Sequence, residues 1–403
     1  MIKEITSKKK RRLLKALVVC VITTMAFCFV AFAYEYNSYR SLSYKASEKI
    51  INKVIAKQLS KDPNTLTSED FEKVQEISIP LFDLTSFRPL VKLKNLEKLK
   101  LIFANEDLNV DIDYKTLAKL KKLQELDISP EYVDFALVPK NKKWYDRILS
   151  ILKKSRQSDS ENKLFDLGRF KKLKNLESLT VEYPETSNLE ALASFPKLYH
   201  LNIKRASVSD PNFLKELTNL KFLELGNTRI NDINPIRSLV NLEYLGLWQA
   251  DITDISSLSN LTNLKKLNLS QTKVENINAL ASLTNLKDLD LSRTPVSDIK
   301  PLAKLTNLQI LTLHASKVTD ITPLAQLVNL QYLQMSFIQI RDFKALESLT
   351  NLTYLNLQRT NINNIKPLGK LTNLQHLDLH NTQISDEQIA ELQKSIPDLK
   401  VEK

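Results

Sequence analysis

The sequence is short of the residue types that build reactive and nucleotide-binding sites. Its two cysteines, Cys20 and Cys28, lie inside one apolar run. Everything after that run lacks a thiol, which excludes disulfides, cysteine-zinc sites and cysteine nucleophiles there. Glycine is limited to Gly168, Gly226, Gly246 and Gly369. No G-x-G-x-x-G or Walker loop can be drawn from these, and a G-x-S-x-G nucleophile elbow is missing as well. The basic excess is localised: Lys3, Lys8, Lys9, Lys10, Arg11, Arg12 and Lys15 against Glu4 place half of the net charge of +12 before residue 16. The remainder is spread too thinly to track phosphates, so nucleic acid is not an expected partner.

Behind the basic tail stands ALVVCVITTMAFCFVAFAY, Ala16 to Tyr34, an uncharged run of 19 residues. As a helix it would reach roughly 28 Å, against about 30 Å of bilayer hydrocarbon. The expectation is a retained signal anchor over residues 16–34. The KKKRR flank leaves residues 1–15 in the cytoplasm and sends everything after Tyr34 across the membrane. Ala31-Phe32-Ala33 also fits a signal-peptidase site, so release after Ala33 is the competing outcome. Both outcomes put the rest of the chain outside the cytoplasm, at a cell surface or in a periplasm.

That remainder is periodic. The N-L dipeptide recurs at Asn219, Asn241, Asn263, Asn285, Asn307, Asn329, Asn351 and Asn373, each 22 residues after the last. With substitutions the phase extends back through Lys197, Asn175, Lys122, Asn95 and Lys73, about thirteen copies altogether. A copy such as LTNLKDLDLSRTPVSDIKPLAK, residues 283–304, offers Leu286, Leu289 and Leu291 on one side of a strand and Val296, Ile299 and Leu302 on a return limb. One copy cannot bury these side chains, so neighbours must stack, giving a curved solenoid with a parallel sheet on its concave side.

The L-x-x-L-x-L strand and the T-x-I-x-D-I-x-P-L-x-x-L return resemble the leucine-rich repeat family, and the 22-residue period resembles the internalin type of bacterial surface proteins. Thr228, Thr272, Thr294, Thr360 and Thr382 stand where internalins usually carry Asn. The resemblance implies an α/β, right-handed leucine-rich repeat solenoid with short 3-10 or irregular convex segments. It also implies an exported bacterial protein that binds a protein or peptide, without a cofactor or catalysis.

The ends fit a capped stack. Residues 35–72 hold a juxtamembrane stretch and helices: Ile50, Ile51, Val54, Ile55 and Leu59 share a face, and Thr67 with Asp70 offers a capping box. Repeats are expected over residues 73–384, and residues 385–403 read as Ser385 capping a helix that leads to a closing strand. The interval of 53 residues between Lys122 and Asn175 is one repeat plus an insertion, placed at about 133–163. There Trp144, Ile148 and Leu152 form an apolar stripe among lysines and arginines. Such a helix suits an anionic membrane or a partner, and the simpler expectation is packing on the flank of the stack.

Residues between the strand leucines face the concave side, because side chains alternate. Three residues past each Asn stand His200, Phe222, Tyr244, Lys266, Asp288, Ile310, Tyr332, Tyr354 and His376. Two aromatic rows result, His200/Phe222/Tyr244 and Tyr332/Tyr354/His376. Four residues further along each strand, on the same face, lie Gly226, Trp248, His314 and His380. With Gly226 and Gly246 as neighbours, Trp248 is expected to border a hollow. Aromatic rows supply contact area for a protein or peptide at low entropic cost; the alternative is that they only pack along the sheet. His376 and His380, four apart, would share a metal on a helix, but on a strand they are separated by roughly 13 Å, so no metal is expected between them. Two other readings remain: a hydrolase built from His314, His376, His380, Asp288, Asp290 and Asp378, and a cytoplasmic scaffold resembling the repeat-type regulatory subunit of protein phosphatase 1. The apolar N-terminal run opposes the second.

Overall fold

Leu286, Leu289 and Leu291 leave one side of a short strand and Val296, Ile299 and Leu302 return to meet them, so that all six are at most 1% exposed. Each such leucine is worth about 2 kcal/mol of burial. The computed structural model in which they are seen describes residues 44–80, 84, 86–103, 114–130, 165–182, 186–208 and 210–403. The apolar run at 16–34 and the segment with Trp144, Ile148 and Leu152 lie outside the described residues. Among the described residues, no helix is long and apolar enough to cross a membrane. The chain divides into two units, Met1–Leu96 with Val110–Leu120, and Glu97–Asn109 with Lys121–Lys403.

The first unit contains a helix over residues 44–59, α1, with Ile51, Ile55 and Ala56 buried. A second helix follows, α2 (Ser68–Lys73), and then a strand, β1 (Glu76–Pro80). The expected capping box forms: the Thr67 side chain accepts from the Asp70 N–H, and the Asp70 carboxylate accepts from the Thr67 N–H at 2.9 Å. The buried Asp70 carboxylate also takes the Lys61 ammonium at 2.6 Å. That bond, and the Thr67 N–H after it, hold the Asp70 carboxyl down to about 2. Its folded value lies below the unfolded one of about 4, so the stability it contributes is complete above pH 4 and is lost as pH falls through 2. Acid titration of Asp70→Asn followed by helix signal is expected to lack this step. At neutral pH the variant is expected to be less stable than wild type.

In the second unit the strands pair in parallel and in chain order: β2 (Lys98–Phe103), β3 (Glu125–Pro130), β5 (Ser178–Val181), then β7 (His200–Asn202) through β15 (His376–Asp378) and β16 (Lys400–Glu402). The short β4 (Phe165–Asp166) and β6 (Thr186–Ser187) form a separate pair. From β7 to β15 each strand is three residues, and the 22-residue period becomes register, with Lys266 opposite Asp288, Asp288 opposite Ile310 and Tyr332 opposite Tyr354.

The polar signature residues connect or terminate these layers. Each phase-setting Asn reaches back one repeat: Asn285 donates to the Thr262 carbonyl and Asn307 to the Thr284 carbonyl, both at 2.9 Å. The aspartate of D-I-x-P-L accepts from the first N–H of the return 3-10 turn, as Asp298 does from Lys300 at 3.0 Å. Thr228, Thr272, Thr294, Thr360 and Thr382, where internalins usually have Asn, donate their hydroxyls to the carbonyl three residues before. At the C-terminal end Ser385 caps a helix, α3 (Asp386–Ser395), through a capping box with Gln388, and β16 follows.

One device is invisible in the leucine pattern. After each strand from β7 to β15 the chain turns at a left-handed residue: Arg205, Asn227, Gln249, Gln271, Arg293, Ala315, Phe337, Arg359 and Asn381, with φ between 53° and 67°. None is glycine. Asn tolerates this conformation, whereas Ala315 and Phe337 each hold on the order of 1 kcal/mol of strain.

Candidate recognition face

All strand-borne candidates lie on the face of the second unit's sheet opposite the leucines. On β7, β8 (Phe222–Glu224) and β9 (Tyr244–Gly246), His200, Phe222 and Tyr244 stack face to face, with centroids 4.1 Å apart at both steps and planes 7° apart. Phe222, in the middle, is covered by a ring on each face, and all three rings are partly buried. The Tyr244 hydroxyl donates to Glu224 at 2.7 Å. Burial, then that hydrogen bond, push the Tyr244 phenol far above its ordinary value. Burial pushes His200 below the usual imidazole range, leaving it neutral at pH 7.

The hollow expected beside Trp248 is filled. A Cβ on Gly226 would stand 1.9 Å from the Trp248 indole nitrogen, and one on Gly246 would stand 2.3 Å from a Glu224 carboxylate oxygen. Neither glycine has a positive φ. Both are therefore small for space: the indole lies over one, and the Glu224 carboxylate lies over the other. Glu224 is itself buried and accepts the Gly226 N–H at 2.7 Å. Packing accounts for the side chains that sequence reasoning left without a structural cause.

The second row is looser. Tyr332 and Tyr354 stack at 4.4 Å, but His376 is tilted by 38° at 6.4 Å and is exposed. Ile310 continues the row on the other side of Tyr332 and is 38% exposed. Between the two rows Lys266 and Asp288 form an ion pair at 2.7 Å.

Phe337 was in no predicted column, yet it adds to this second row's surroundings. It occupies a left-handed turn position, 42% exposed, with the Arg359 guanidinium 4.9 Å above its ring and His314 edge-on at 5.2 Å. His314 is bonded to the Ser336 hydroxyl at 2.7 Å, and burial, then Arg293, lower its proton affinity. A bulky apolar side chain at a turn that favours Asn or Gly is the signal that could have found it. His380 lies two residues past the end of β15, bonded through Nδ1 to Asp378 at 2.7 Å. His314 and Asp290 share no contact of the kind a nucleophile and its base require. Of the predicted hydrolase set only Asp378 and His380 are in hydrogen-bond contact among the described residues, while His314 bonds Ser336 instead.

Residues 240–282, 284–326 and 350–394 match the family model described as leucine rich repeats (2 copies). The chain belongs to the leucine-rich repeat family. This leucine-rich repeat chain is similar to an internalin from Listeria monocytogenes, at 24% identity over 87% of this chain and 94% of the other, with a TM-score of 0.66. A leucine-rich repeat protein of Leptospira interrogans matches at 21% identity, covering 83% of this chain and 97% of its own, with a TM-score of 0.53. The leucine-rich repeat ectodomain of an Arabidopsis thaliana membrane receptor kinase, solved with Casparian strip integrity factor 2, matches at 17% identity. It covers 83% of this chain and 38% of its own, with a TM-score of 0.56. No curated protein matches the sequence. The repeats are thus internalin-like in fold, as their 22-residue period suggested.

Proposed function

We propose that this leucine-rich repeat protein is a non-catalytic receptor for a protein or peptide, bound on the open face of the sheet around Ile310, Tyr332, Tyr354 and His376. The observation that carries the reading is the contrast between the two aromatic rows. The first is closed by stacking and by the Tyr244–Glu224 bond, whereas the second ends in an exposed histidine and an exposed isoleucine on a rigid parallel sheet. Rigid, partly exposed aromatics give contact area without ordering cost. The plant receptor ectodomain, solved with a bound factor, is a precedent for ligand capture by this architecture.

We further propose that residues 16–34 anchor the chain in a membrane with the repeats on the extracytoplasmic side. The apolar run and its basic flank support the anchor. Alkaline extraction of membranes and N-terminal sequencing test it: the chain is expected to stay in the lipid fraction and to retain its N-terminus. A soluble product beginning at Tyr34 would replace the anchor with secretion.

A further inference from the structure

We propose that Asp378, His380 and Glu402 bind a divalent transition-metal ion of the Zn2+ class, which ties the closing strand β16 to β15. This lies beyond the recognition reading and does not depend on it.

Two observations lead there. First, one ligand atom from each of the three residues lies within 4.8 Å of the others, with His380 Nδ1 and Asp378 Oδ1 already at 2.7 Å. Neighbouring donors on a zinc-like ion with bonds of about 2.1 Å stand about 3.3 Å apart, so this pair needs to open by less than an ångström and Glu402 needs to swing in. Second, β15 and β16 place Asp378 directly opposite Glu402. Among the described strand pairs this is the one that sets carboxylate against carboxylate, an arrangement that destabilises a sheet unless a positive charge intervenes. Elsewhere the face pairs opposite signs, as at Lys266 and Asp288. The Glu402 side chain makes no hydrogen bond or ion pair among the described residues.

The surroundings suit a ligand set. Asn356 donates to the far oxygen of Asp378 at 2.8 Å, and the His380 backbone N–H donates to the near one at 3.0 Å, holding the carboxylate in one orientation. In the 2.7 Å contact His380 Nδ1–H donates to the Asp378 carboxylate; on binding, the ion takes the place of that hydrogen on Nδ1, the displaced proton passes to solvent, and Nε2 carries the ring N–H. One imidazole with two carboxylates selects Zn2+ or Ni2+ over Mg2+ and Ca2+, which prefer oxygen alone. His376, although near in sequence, takes no part.

The test is calorimetric titration of the tag-free full chain with ZnCl2, paired with thermal unfolding with and without the ion. Wild type is expected to bind one ion through this site and to unfold at a higher temperature in its presence. Glu402→Gln and His380→Gln are expected to weaken that binding at least about tenfold and to lose the thermal shift. Without metal, Glu402→Gln should be as stable as wild type or slightly more so, because the opposed charges are relieved. His376→Ala should bind like wild type, and any background from Cys20 and Cys28 is common to all variants. Zinc binding and thermal shift unchanged in both Glu402→Gln and His380→Gln, or no binding by wild type, would overturn the assignment.

Discussion

Gly246→Ala is expected to lower the unfolding free energy of the repeats by about 3 kcal/mol, read by chemical denaturation. Its Cβ would sit 2.3–2.5 Å from the Glu224 carboxylate, which cannot stay where it is. Moving it breaks two hydrogen bonds to a buried charge, from the Gly226 N–H and the Tyr244 hydroxyl, each worth roughly 1.5–3 kcal/mol. Some of that is recovered if the carboxylate reaches water. Gly369→Ala is the control, because its Cβ would meet Ser395 at 3.8 Å, an ordinary contact, and it should be neutral or stabilising. Gly226→Ala displaces an indole that is only half buried. A shift in Trp248 fluorescence with a smaller stability loss is expected there.

The second large effect concerns binding. Tyr354→Ala removes the middle ring between Tyr332 and His376, with its stacked neighbour at 4.4 Å on one side. Under the proposed function its loss should weaken a captured ligand by about 2 kcal/mol, or roughly 30-fold, as for a buried aromatic hot spot. The probe is a set of peptides selected from a displayed random library on the wild-type chain. Phe222→Ala, in the self-stacked row, should lose stability but retain most of the affinity. Equal affinity in Tyr354→Ala and wild type would remove the second row from the binding surface.

Much of this was legible in the sequence because the repeat converts spacing into contact. The constant distance between successive Asn-Leu dipeptides fixed which residues stand opposite one another, and so Tyr332, Tyr354 and His376 could be placed in one row from spacing alone. What spacing could not supply was side-chain direction. Gly226 and Gly246 looked like a hollow beside Trp248, when the indole and the Glu224 carboxylate fill those spaces. Phe337 escaped because the alternation that sorts strand residues by face ends at the left-handed turn, where its ring is released to the edge of the sheet. Glu402 escaped because β16 comes after α3 and falls outside the 22-residue phase, so that only the folded register sets it beside Asp378. The Thr positions read as a departure from the internalin pattern, yet each hydroxyl satisfies a backbone carbonyl of the buried turn.

The central claim, capture of a protein or peptide on the open sheet face, is tested most directly by placing a photoreactive amino acid at single positions in the full chain in its native cells. Positions 310, 332 and 354 on the sheet are compared with 300, 344 and 366 on the 3-10 turns of the opposite limb. The account predicts a discrete cross-linked protein or peptide from the sheet positions and none from the turns. Adducts confined to the turn positions would contradict it.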